Sequence, residues 1–121
     1  MTQIKGQVAY HSGLAAERIV ALDYERRGLQ IVRRRWRGQG GEIDLIVRNR
    51  PGLIFVEVKK ARSFAKAAER LSVRQMERIQ LSALDYLGSE PSGQLTELRF
   101  DVALVDHKGQ VEIIENAFGQ I

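Results

Sequence analysis

GEIDLIVRNRPGLIFVEVKK, residues 41–60, is the stretch on which the fold turns. Two runs rich in β-branched and aromatic residues, 42–49 and 53–60, flank NRPG (49–52), and this pattern predicts two strands joined by a turn. Residues two apart on a strand share a face. Glu42, Asp44, Ile46 and Arg48 therefore point one way, and Glu57 and Lys59 share a face on the next strand. A loop of two or four residues around Arg50-Pro51 sets Asp44 opposite Glu57 and Glu42 opposite Lys59. Facing carboxylates repel each other across a hairpin, and carboxylates inside apolar strands lose solvation. The arrangement makes sense with a divalent cation between them, and hard oxygen ligands suit Mg²⁺ or Mn²⁺. A cross-strand ion network on a wet face is the competing reading of Asp44, Glu57 and Lys59.

Working outward, residues 7–27 read as a helix stopped by Gly28. LQIVRRRW (29–36) reads as a strand with a very basic end, and RGQGG (37–41) as a loop. Gly38-x-Gly40 has the start of a dinucleotide-binding spacing, but position 43 is Ile and the third glycine is missing. Residues 61–71 fit either a mobile loop or a short helix. Ser72-Val73-Arg74-Gln75 matches a capping box. Val73, Met76, Ile79, Ala83 and Leu87 then follow helical spacing up to Gly88, with Arg74 and Arg78 four apart on another face. EPSG (90–93) is a loop, and 96–106 and 110–117 are strands joined at His107-Lys108-Gly109. The order α-β-β-β-α-β-β predicts an α/β domain with consecutive antiparallel strands near its centre.

Glu17 stands out on the first helix. Its neighbours three and four residues away are Gly13, Leu14, Val20 and Ala21, all small or apolar. It emerges from a face that should pack inward, either snorkelling at the helix edge or paired with an Arg, or reaching the metal directly or through water.

The 121 residues suit one domain, 1–121, with 44% hydrophobic and 28% charged residues, ordinary for a globular chain. No apolar run approaches the roughly 20 residues of a membrane span, and MTQIKGQVAYH lacks the apolar stretch of a signal peptide. There is no Cys, which excludes disulfides, zinc thiolates and Cys nucleophiles, and only two His. The expectation is a cytoplasmic protein without a membrane partner. Charge is segregated: residues 26–78 hold 15 of the 19 basic residues and only 5 of the 15 acidic ones. That suits a polyanionic partner, although a solvated basic surface would look the same. Arg33, Arg34, Arg35 and Arg37 form the densest cluster, around Trp36. Arg can fork onto phosphate and Trp can stack on a base, but alternate strand residues face opposite sides, and a lone Trp is more often core. Lys60, Arg62 and Lys66 could clamp a phosphate or simply keep a loop soluble.

Asp44, twelve intervening residues, then Glu57-Val58-Lys59 resembles the signature of the PD-(D/E)XK nucleases. GEIDLI (41–46) and FVEVKKAR (55–62) resemble more closely the YraN family of small uncharacterised bacterial proteins, together with Gly13, Glu17, Gly28, Trp36-Arg37 and RFDV (99–102). The resemblance implies a restriction-endonuclease-like core, a central mixed sheet flanked by helices. It implies Asp44 and Glu57 as metal ligands, the Val58 carbonyl as a further one, and Lys59 as the residue that orients water or stabilises phosphate charge. It points to a Mg²⁺- or Mn²⁺-dependent endonuclease on nucleic acid, DNA rather than RNA. By likeness to small Holliday-junction resolvases the DNA would be branched or single-stranded, and a homodimer would be needed to cut two strands together. A non-catalytic nucleic-acid-binding module and a protein-binding adaptor are the alternatives.

Overall fold

A computed structural model describes residues 2–118, with side chains from residue 13 onward. The chain runs α1 (Thr2–Arg26), β1 (Gln30–Gly38), β2 (Gly41–Asn49), β3 (Gly52–Lys60), α2 (Phe64–Glu69), α3 (Val73–Leu87), a 3₁₀ turn (Gly93–Leu95), β4 (Leu98–Val105) and β5 (Val111–Ile114). The five strands form one sheet in the order β1-β2-β3-β4-β5. Only β3 and β4 are parallel, because α2 and α3 form the crossover between them; the other pairs are antiparallel. The result is the expected α/β architecture with a mixed sheet between helices, consistent with a restriction-endonuclease-like fold.

β3 sits at the centre, and its first six residues, Gly52–Glu57, are all buried. A strand covered on both faces loses polar alternation. On one face, Ala16, Val20, Ala21 and Tyr24 of α1 pack on Leu45, Val47, Ile54, Val56, Ala103 and Val105. On the other, Ile79, Ala83, Tyr86 and Leu87 of α3 pack on Ile43, Ile46, Leu53, Phe55 and Phe100. The three- and four-residue spacing of each buried stripe is that of an amphipathic helix. Each fully buried aliphatic or aromatic side chain contributes about 1.5–3 kcal/mol.

α1 ends as its glycine predicts. Gly28 takes φ +87, its amide donates to the Glu25 carbonyl, and the Leu29 amide reaches back to Tyr24. This pair of bonds is a Schellman cap, with Leu29 packed into the same core as Tyr24. Asp101, fully buried, ties α1 to β4: it accepts from the Tyr24 hydroxyl (2.7 Å), the Arg99 guanidinium (2.9 Å) and the Asn116 amide (3.0 Å). A buried carboxylate tolerates its site only with such partners.

Several boundaries differ from the sequence expectation. α1 begins at Thr2, not at residue 7. Residues 61–71 contain the short helix α2, capped by Ser63, whose side chain accepts from the Lys66 amide. Gly88 stops α3 in a right-handed conformation (φ −59), so left-handed freedom is not used there. The last strand is confined to Val111–Ile114. The segment 37–41 is not an open loop. β1 continues through Gly38 and β2 restarts at Gly41, leaving Gln39-Gly40 as a tight turn. That turn lies flat on α3: the Gln39 amide donates to Asp85 (2.6 Å) and Ser82 donates to the Gly41 carbonyl (2.8 Å). A Cβ at Gly40 would run into the backbone carbonyl of Arg78. The Gly38-x-Gly40 spacing thus serves close helix–hairpin approach. No described helix is long and apolar enough to cross a membrane.

Gly40→Ala should therefore destabilise the protein by about 1–3 kcal/mol, the usual cost of forcing atoms into a packed contact. Urea denaturation of wild type and variant measures this, and an unchanged midpoint would show that the turn does not bear on α3 in solution.

Candidate functional site

The β2–β3 hairpin closes on the two-residue turn Arg50-Pro51, with Asn49 paired to Gly52 and the register continuing to Leu45–Val56. Asp44 and Glu57 are the next residues in that register. There the backbone ladder gives way, and the Val58 amide donates to Asp44 Oδ2 instead (2.8 Å). The strict two-residue alternation expected of β2 slips at this point. Leu45 and Val47 pack beneath α1, yet Ile43 joins Ile46 beneath α3. Across β1 the matching residue is Arg35, whose backbone adopts φ 52. Such a conformation costs a non-glycine residue about 1–2 kcal/mol, and it lies beside the site.

The slip places the acids between two helices. Glu57 is only 5% exposed, and its Oε2 accepts from Gln75 Nε2 of α3 (2.7 Å). Asp44 lies close enough to act directly on Glu57. Burial, then contact with Asp44, pushes the Glu57 carboxyl up to about 9, while nearby Lys59 pulls the other way. On the α1 side, Glu17 faces Asp44 across a cleft of about 300 Å³ that also contains Lys59 and Lys60. Burial, then Asp44, raises Glu17 to about 7, with Arg35 and Arg34 opposing.

Two carboxylates in contact inside a recess, with a third facing one of them, are a donor set that a hard divalent cation would relieve of repulsion. Among the described residues no three His, Cys, Asp or Glu side chains converge closely enough to cage a metal unaided. Protein donors hold Asp44 and Glu57 instead, which keeps the acids satisfied and preformed.

The basic residues divide. Arg33 pairs with Ile46 and Arg34 with Leu45, residues on opposite faces of the sheet, so the four arginines of β1 do not form one surface. Arg35 is held by Glu42 (3.3 Å). Trp36 packs edge-on against Tyr86, with ring centroids 5.2 Å apart, and belongs to the core. Lys60 lines the acid cleft, whereas Arg62 lines a separate hollow with Lys66 and Arg70. A second cleft, also of about 300 Å³, opens on the α3 side of Glu57 and is lined by Arg74 and Arg78.

Three of these positions escaped the sequence reading as site residues: Gln75, Arg74 and Arg78. By spacing, Gln75 fits a capping box. Ser72 does cap the helix, accepting from the Gln75 amide (3.1 Å), but the Gln75 side chain goes to Glu57. The four-residue spacing of Arg74 and Arg78 was visible, but nothing local says that their face borders the hairpin.

The raised carboxyls have a consequence for stability. A carboxyl whose pKa is higher in the folded state binds its proton more tightly there, so it stabilises the fold fully below its unfolded value of 4.5. That stabilisation is lost as pH rises through about 7 for Glu17 and about 9 for Glu57. In chelator, the melting temperature should fall between pH 5 and pH 9. Glu57→Gln should flatten that fall, and equal slopes for both proteins would contradict the buried acid pair.

The comparisons with known proteins agree with the strand motifs. The model of a family described as "Uncharacterised protein family UPF0102" matches residues 16–105. A UPF0102 protein of Ruegeria pomeroyi is 57% identical over 115 residues, covering 95% of this chain and 94% of its own. One from Cereibacter sphaeroides is 58% identical over 115 residues, covering 95% and 98%. One from Dinoroseobacter shibae is 45% identical over 114 residues, covering 94% and 85%. The matched span includes Glu17, Asp44, Glu57, Lys59 and Gln75, and the chain belongs to the UPF0102 family, the YraN family that its two strand motifs resemble.

Proposed function

We propose that this protein is a divalent-cation-dependent endonuclease that hydrolyses phosphodiester bonds in nucleic acid, DNA with a branched or single-stranded feature above all. The observation that carries this reading is the contact between Asp44 and Glu57 where the β2–β3 ladder gives way, with Lys59 beside Glu57. Structural carboxylates are usually neutralised by a basic partner, but here two acids are neighbours in a recess.

In this reading Asp44 and Glu57 hold a Mg²⁺ or Mn²⁺ ion. A bound ion of this kind polarises the phosphodiester and makes water a better nucleophile. Lys59, in the same cleft, donates to a phosphate oxygen as negative charge builds there. Gln75 fixes the Glu57 carboxylate by its 2.7 Å bond, so less freedom is lost when the ligand binds. Glu17 backs the pair from α1 and can hold a water between itself and Asp44. Cutting two strands together would take two copies of the chain. Location in the cytoplasm is part of the same proposal, in keeping with the absence of Cys.

One observation favours a second reading. Asp44 and Glu57 already have protein donors, so the pair could simply close the end of the sheet in a non-catalytic nucleic-acid-binding module.

The test is a panel of branched, flapped, single-stranded and duplex DNAs with Mn²⁺, with Mg²⁺ and with chelator. Wild type should cut at least one substrate only when the metal is present. Asp44→Ala should lose cutting and also the rise in melting temperature that Mn²⁺ gives wild type. Lys59→Ala should lower cutting by about 10²-fold or more, in line with removal of one charge-stabilising donor, while DNA binding stays within about twofold. Equal nicking by wild type and Asp44→Ala would mark a contaminant. Metal-independent binding without any cutting would leave the binding module.

A further inference from the structure

Two clefts meet at Glu57, and the arginines of the second take no part in the chemistry of the first. The first holds Glu17, Asp44 and Lys59 on the α1 side. The second lies on the α3 side, over the Gly40-Gly41 turn, and carries Arg74 and Arg78. They share Glu42, Glu57 and Gln75 as a common wall. Arg74 and Arg78, one turn apart on α3, are both exposed and stand on the same helix face.

The charge distribution in the second cleft is asymmetric. Glu42, the less buried of the acids lining it, is paired with Arg35 at 3.3 Å. Glu57 gives its Oε2 to Gln75. Two guanidiniums therefore face a wall whose carboxylates are already bonded to other groups. Guanidinium forks suit phosphate oxygens.

The depth of Glu57 bears on which strand could approach it. Glu57 is 5% exposed, so a phosphate must enter the cleft to approach it. Duplex DNA is stiff on this length scale and resists turning a phosphate inward. A single strand bends freely.

Building on the nuclease reading, we infer that the Arg74–Arg78 cleft is a second phosphate subsite. It holds a neighbouring phosphate of one nucleic-acid strand that crosses the acid pair from the α1 side to the α3 side. The chemistry recognised is the backbone of an unpaired strand, whether in a single-stranded DNA or at a branch.

The probe is a fluorescent oligothymidylate of about 12 nucleotides, within the span that small single-strand-binding domains cover. Binding is followed by anisotropy in chelator from low to moderate salt, so that cutting plays no part. Removing two phosphate contacts should lower the slope of log K against log salt by about 1.4, at about 0.7 for each contact on a single strand. Arg74→Gln with Arg78→Gln should show that drop, with affinity about tenfold weaker at the lowest salt. Arg26→Gln with Arg27→Gln removes the same charge at the far end of α1, outside both clefts, and should change affinity less than twofold. Circular dichroism melts establish that both variants fold.

Equal losses in the two double variants would reduce the effect to net charge and overturn the subsite. A loss confined to a matched duplex would overturn the single-strand assignment. If wild type binds no strand at all, the nucleic-acid reading falls, and this inference with it. If wild type binds with the full salt slope and the Arg74/Arg78 variant matches it, only the subsite falls.

Discussion

Six consecutive buried residues at the centre of the sheet, Gly52–Glu57, set the terms for everything around them. A strand with no solvent-facing side must be covered twice, which requires α1 on one face and α3 on the other. At its edges β3 pairs with β2, which precedes it, and with β4, which follows the α2–α3 crossover. The same burial makes Glu57, the last residue of the run, an expensive group. Gln75 meets part of that cost locally, and burial with Asp44 nearby raises the Glu57 carboxyl.

The site is the place where that strand escapes its neighbour. While β2 and β3 remain paired, the backbone consumes its own donors. Once the ladder gives way beyond Leu45–Val56, the Val58 amide becomes available, and a carboxylate rather than a carbonyl accepts from it. A slip in alternation at Asp44 and a left-handed residue at Arg35 accompany the change. Strained or irregular backbone of this kind tends to cluster where a fold positions functional groups. Here it directs one acid toward α1 and leaves the other bonded to α3, with a cleft on either side of the pair.

Much of this was legible from residues 41–60 alone. The turn at Asn49–Gly52 and an even loop length are local properties, and they bring Asp44 and Glu57 into the same register position whatever the remainder of the chain does. Helix ends were similarly local: Gly28 and Ser72 act on the few residues beside them. Less could be read where a residue has two satisfactory partners. Gln75 fits a capping box by spacing, but the buried Glu57 is the more demanding acceptor, and burial is not a property of spacing. Gly38-x-Gly40 lacks the third glycine of a dinucleotide loop, and only the Arg78 carbonyl lying against Gly40 shows that the spacing has a packing role.

By itself, then, the sequence determined the order of elements, the hairpin register, the identity of the paired acids and membership of a family recognisable from two strand motifs. Each depends on contacts within about twenty residues, where side-chain periodicity and turn chemistry dominate. Only the tertiary structure decided which cations border the acids. Arg33, Arg34, Arg35 and Arg37 are dense in sequence, but a strand sends neighbours to opposite faces and the cluster disperses. Arg74 and Arg78 lie in an ordinary-looking helix, and the crossover from β3 to β4 brings that helix against the hairpin. The physical reason is that charge has no periodicity requirement of its own: it sits wherever burial of the apolar stripe leaves it, and that is settled by packing between elements distant in the chain.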